Sequence, residues 1–101
     1  MREAVSITGQ GIICAIGNDL PSVLDSLVHA HSGIRPMKYL NSRHSELPVG
    51  EVQLSNSQMK RILGLEESTL ASRTSLMGAI AIREALAQVG KSRLEGKRVV
   101  L

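Results

Sequence analysis

Ala4-Val5-Ser6-Ile7-Thr8-Gly9-Gln10-Gly11-Ile12-Ile13-Cys14-Ala15-Ile16-Gly17-Asn18-Asp19 is the stretch on which the fold turns. Val5 and Ile7 alternate with Ala4, Ser6 and Thr8, the period-two pattern of a strand with one buried face. Gly9-Gln10-Gly11 then breaks the pattern, residues 12–16 form an apolar loop, and Gly17-Asn18-Asp19 punctuates the approach to a helix. Asn18 or Asp19 supplies a side-chain oxygen for the free N–H groups of a first helical turn.

Helical spacing takes over beyond that point. Leu20, Val23, Leu24, Leu27 and Val28 make one apolar stripe, so a first helix is expected from Asp19 to about Ala30. Pro21 fits its first turn, where a missing N–H is harmless, and Ser32-Gly33 ends it. Residues 34–46 read as a surface connection broken by Pro36, Asn41, Ser42 and Ser45. A weak strand, Val49-Gly50-Glu51-Val52, follows. Asn56 or Ser57 is expected to cap a short helix through about Leu63, closed by Gly64. A long helix is expected over Leu70 to Val89, with Gly90 at its end. Its middle, residues 76–82, is apolar on nearly every side, as in a helix covered on both flanks. Gly78 costs about 1 kcal/mol there against alanine, so a close neighbour is the expected reason for it. Residues 91–96 read as a loop, and Lys97 to Leu101 as a strand that stops without a cap.

Composition narrows the function classes. The chain of 101 residues is one domain's worth of sequence, without internal repeats or low-complexity tracts. Its net charge of +3 is too small to argue for nucleic acid, though it suits an acidic partner. A single cysteine, Cys14, excludes an internal disulfide and fits a reducing cytosol. No apolar run reaches the roughly 18–20 residues of a membrane span, and residues 1–3 lead directly into the strand without a signal-peptide pattern. Tyr39 is the one aromatic residue, so any core is built from aliphatic side chains and methionine.

The opening loop resembles that of the β-ketoacyl-acyl carrier protein synthases, the condensing enzymes of fatty-acid and polyketide synthesis. Those enzymes begin with a strand, Thr-Gly-x-Gly, two apolar residues, usually Ser-Pro, then x-Gly-Asn. Thr8, Gly9, Gly11, Gly17 and Asn18 sit at matching positions, and Cys14-Ala15 stands where Ser-Pro is usual. Ser32-Gly33-Ile34 after the first helix, Ser72-Arg73-Thr74 at the long helix, and the closing Arg98-Val99-Val100-Leu101 continue the likeness. Members are roughly four domain-lengths of this size. The resemblance therefore implies that residues 1–101 are the N-terminal fragment of a thiolase-like layered α/β/α fold, cut within a strand. It implies a parent acyltransferase in which a cysteine thiolate takes an acyl group. Two histidines then assist decarboxylation of malonyl-carrier protein, and the carbanion attacks the acyl thioester. The catalytic cysteine and histidines of the family lie beyond this chain. The implied partners are acyl carrier protein and a second, identical or related, subunit; no cofactor and no metal is implied. A non-catalytic partner subunit, a class the family also contains, and a small nucleotide-binding module are the alternatives.

The candidate sites divide accordingly. Gly9-Gln10-Gly11 follows a strand, but the third position of a dinucleotide fingerprint is Cys14 and the helix starts about eight residues late. Ala85 to Ser92 has P-loop spacing with Ala85 for the first glycine, yet it ends a helix instead of opening one. Cys14 reads as small loop filler without a base nearby. His29, His31 and His44 have neither metal-ligand spacing nor a shared helix face. The carrier-protein contact that the resemblance implies falls on Lys60 and Arg61 of the short helix. Arg73 and Arg83 lie on the long helix, although Glu66-Glu67 before it is acidic.

Overall fold

A computed structural model describes residues 3–90 and Gly96. The described chain holds three helices and a two-stranded antiparallel sheet, a mixed α/β arrangement. The helices are α1 (Leu20–Val28), α2 (Asn56–Ile62) and α3 (Arg73–Val89); the strands are β1 (Arg35–Pro36) and β2 (Pro48–Val49), with Arg35 opposite Val49 and Pro36 opposite Pro48. No helix among the described residues is long and apolar enough to cross a membrane. The expected loop at 91–96, apart from Gly96, and the expected strand at 97–101 lie outside the described residues.

Each helix starts on a side-chain cap. The Asp19 carboxylate accepts the Ser22 N–H at 2.9 Å while Ser22 Oγ accepts the Asp19 N–H at 3.3 Å, a reciprocal box. The Ser22 hydroxyl and N–H hold the Asp19 carboxyl below the usual carboxylate value against a small opposing effect of burial. Pro21 occupies the first turn as expected. Ser55, rather than Asn56 or Ser57, caps α2: its hydroxyl accepts from Gln58 N at 3.1 Å and Gln58 Oε1 accepts from Ser55 N at 2.8 Å. The Ser-x-x-Gln spacing favours that residue because both orphan donors are then satisfied. Ser72 caps α3, so the helix begins at Arg73, three residues later than the expected Leu70, whose side chain is 99% exposed. Gly64 and Gly90 end α2 and α3 with φ of 73° and 88°, where a glycine suffers no Cβ clash.

The core lies between α2 and α3. Met59 is fully buried against Leu76 and Ile80, with Ile13, Leu54, Leu63, Ala71 and Met77 around them. The first expectation to fail is the strand at 4–8. Residues 3–13 form no regular element and have no ladder pairing, and Val5 and Ile7 are 95% and 79% exposed. The period-two pattern is present, but a strand also needs a neighbour's N–H and C=O groups, and the described residues place none beside it. The α1 stripe fares similarly. Val23 is buried, while Leu24, Leu27 and Val28 stay exposed because no element among the described residues covers that face. α1 ends at Val28, short of Ala30, which takes a left-handed φ of 54°. Residues 34–46 are not connection throughout, since Arg35–Pro36 pairs with the following strand. That strand is Pro48–Val49 and not 49–52. α3 buries Leu76 and Ile80 but leaves Ile82 exposed.

Gly78 was expected to sit against another element, yet a Cβ there would meet nothing within 4 Å. The close approach belongs instead to Gly9 and Gly11. A Cβ on Gly9 would overlap the Ala85 carbonyl oxygen, and one on Gly11 the Ala81 carbonyl oxygen. The Gly-x-Gly segment lies directly on the α3 backbone, over two alanines one turn apart. The radius of gyration, 16.5 Å, exceeds the roughly 13 Å of a compact chain of about 100 residues.

Candidate functional site

Two polar side chains from α3 fasten the first loop. Glu84 Oε1 accepts the Ile12 N–H at 2.9 Å, and its Oε2 accepts the Leu20 N–H, the first of α1, at 2.7 Å. Gln88 Oε1 accepts the Gln10 N–H at 2.9 Å. Ala81, Glu84, Ala85 and Gln88 recur at helical spacing, so one face of α3 presents bare backbone at two alanines to the glycines and two side-chain acceptors to the backbone beside them. Ser26 Oγ closes the loop from the other side by donating to the Ile16 carbonyl at 2.6 Å.

This arrangement bears on phosphate binding. The N–H groups of Gln10, Ile12 and Leu20 are the donors a phosphate would need, and they are taken. The acceptor on two of them is a carboxylate, which repels an anion. Ala85 to Val89 of the P-loop-like run lies inside α3 with Gly90 as its C-cap; Lys91 and Ser92 lie outside the described residues.

A cleft of about 470 Å³ opens between the first loop and α3, lined by Cys14, Leu40, Glu51, Val52, Arg73 and Met77 among others. Cys14 is half-buried in a tight turn, its N–H bonded to the Gly17 carbonyl at 2.9 Å. No histidine lines this cleft, so it pairs no thiol with an imidazole base.

Glu51 is the charged side chain the described structure buries, at 4% exposure. Its Oε1 accepts the N–H groups of Lys38 (2.6 Å) and Tyr39 (3.0 Å), and its Oε2 those of Tyr39 (3.1 Å) and Leu40 (3.0 Å). Burial alone would raise its pKa. The N–H groups of Leu40, Lys38 and Tyr39, with the Arg73 guanidinium, outweigh burial and hold it below the usual value. Arg73 also donates to the carbonyls of Leu54 and Val52 at 2.8 Å each and to Asn56 Oδ1 at 3.1 Å, and its guanidinium lies 5.8 Å from the Tyr39 ring centre.

The basic residues are therefore not one patch. Arg73 turns inward, and Arg83 donates from Nη1 to the Ile62 carbonyl, binding α3 to the end of α2. Lys60 donates to the Glu67 carbonyl at 3.0 Å, which leaves Arg61 the exposed cation of the pair on the last turn of α2. His29 and His31, two residues apart, do come together: the rings stack at 5.7 Å because both follow the end of α1, with Ala30 between them in a left-handed conformation. His29 Nδ1 lies 2.9 Å from the Asp25 carbonyl and 3.2 Å from its carboxylate, and His44 pairs with Glu46 at 4.0 Å. No cluster of three metal-ligating side chains occurs among the described residues.

Glu51 and Glu84 are the organising residues that the sequence reading passed over. The signal for Glu84 was its place one turn from Gln88 on the alanine face of α3; for Glu51 it was a lone charge inside the apolar run 47–54. No family model, no curated protein and no solved structure matches this chain.

Proposed function

We propose that this chain is the N-terminal scaffold of a β-ketoacyl-acyl carrier protein synthase of thiolase-like fold, and that the condensation chemistry is carried by residues outside it. The observation that carries this reading is the contact between the Gly-x-Gly loop and α3. The segment with the sharpest resemblance to the condensing enzymes, Thr8-Gly9-Gln10-Gly11, is packed backbone to backbone on the helix whose opening, Ser72-Arg73-Thr74, continues the likeness more loosely. Such packing makes glycine at positions 9 and 11 a steric need, which the motif satisfies. The exposed, strand-patterned Val5 and Ile7 support a setting in which further strands complete a sheet. In this reading Cys14 packs a loop and is not the nucleophile. Arg61, with Lys60 behind it, faces the acidic carrier protein.

The test is an assay of the polypeptide encoded by the complete reading frame, supplied with malonyl- and acyl-carrier protein. The expected result is a β-ketoacyl-carrier protein two carbons longer. Reversing charge with Arg61→Glu should raise KM for carrier-bound substrate and leave turnover of a small soluble thioester unchanged. Absence of product from the folded full-length protein would reject the enzymatic reading and favour the non-catalytic subunit.

A further inference from the structure

Residues 37–47 leave and return through one narrow base, the two-residue ladder of β1 and β2. Other hydrogen bonds in this arc stay within it, from His44 N–H to Ser42 Oγ and from Leu47 N–H to the His44 carbonyl, each 3.1 Å. The hydrogen bonds that tie the arc to the body come from Glu51, whose carboxylate gathers three consecutive N–H groups, at 38, 39 and 40, while the Arg73 guanidinium lies 5.8 Å from the Tyr39 ring centre. Leu40 at the end of that grip forms one wall of the Cys14 cleft, and from there to Leu47 the residues are exposed.

We propose that residues 37–47 are a strap latched across the Cys14 cleft by Glu51, and that the strap opens as a unit while α2 and α3 stay packed. Three features support it. The grip is a single carboxylate, so one event releases three N–H groups together. The arc contributes none of the buried residues of the α2–α3 core, so its departure leaves Met59, Leu76 and Ile80 covered. The groups facing Glu51 are Lys38 and Tyr39 from the strap and Arg73 from α3. Of these, Arg73 remains anchored to the Val52 and Leu54 carbonyls when the strap leaves. Protonating Glu51 weakens it as an acceptor and removes its attraction to Arg73, so acid is one trigger. Arg43, His44 and Glu46 lie on the exposed outer part of the arc, and a Glu51→Gln variant at constant pH isolates the latch from them.

The chain carries its own reporter. Tyr39 is its one aromatic residue, and its N–H is held by Glu51, so tyrosine fluorescence reads the strap alone. At pH 7 the full chain with Glu51→Gln should show about twofold stronger acrylamide quenching of Tyr39 than wild type, several-fold faster alkylation of Cys14, and an unchanged helical signal at 222 nm. In an acid titration of the wild type, quenching should rise before ellipticity falls. Wild-type quenching in Glu51→Gln would overturn the proposal. So would loss of ellipticity in step with quenching, in the variant or in acid, since Glu51 would then be part of one cooperative unit and not a latch.

Discussion

Replacing Gly11 by alanine tests the contact on which the architecture rests. The added Cβ would overlap the Ala81 carbonyl oxygen and lie 2.8 Å from the Ala81 carbonyl carbon and 3.0 Å from Ala85 N. All three atoms are helix backbone, so no rotamer change relieves them, and α3 must retreat by roughly an ångström to restore ordinary contact distances. That retreat stretches the bonds from Glu84 to Ile12 and Leu20 and from Gln88 to Gln10. Overpacking of this kind costs about 1–3 kcal/mol. Partial loss of bonds to a carboxylate, each worth about 1.5–3 kcal/mol when intact, puts the total near the upper end, about 3 kcal/mol. At a urea slope of about 1.5–2 kcal/mol/M the unfolding midpoint should fall by roughly 1.5–2 M, followed at 222 nm. Gly78→Ala is the matched control, because its Cβ meets nothing within 4 Å. It should gain up to about 1 kcal/mol of helix propensity. Equal midpoints for the two variants would refute the packing argument.

Other expectations follow from the same structure. Glu51 has a folded-state pKa below its unfolded reference of 4.5, so its contribution to stability is present above that value and is lost as pH falls through the lower folded value; the midpoint of Glu51→Gln should accordingly depend less on pH across that window than that of the wild type. Asp19→Ala removes the α1 cap and should cost about 1 kcal/mol in the same urea assay. Ile80→Glu places a charge beside buried Met59 and Leu76, so loss of the helical signal is expected, and a folded variant would show that this face of α3 is not core. The exposed Leu24, Leu27, Val28, Ile82 and Leu86 should make the chain self-associate; concentration-independent sedimentation as a monomer would count against this.

The helices were legible because their signals are local. Caps, the Met59–Leu63 and Leu76–Ile80 spacings, and the stopping glycines each act within one or two turns. The strand at 4–8 was legible as a pattern but not as a pairing, since ladder formation depends on a partner distant in sequence. The misassigned glycine shows the same limit. Gly78 looked significant from helix propensity, whereas the glycines in close contact, 9 and 11, touch residues seventy or more positions away. Of the candidate site, Cys14 was correctly placed in a loop, but the grip of Glu51 on residues 38–40 joins a residue read as part of a weak strand to a segment read as a surface connection. Periodicity carries no trace of such a contact.

The central claim, that this segment holds the fold while the acyl chemistry lies elsewhere in the parent, is tested most directly by locating the acyl group. The protein from the complete reading frame should be incubated with acyl-carrier protein, digested under conditions that preserve thioesters, and read by mass spectrometry. The account predicts an acyl thioester on a cysteine beyond Leu101 and an unmodified peptide containing Cys14; an acyl adduct on Cys14, or none on any cysteine of the folded protein, would contradict it.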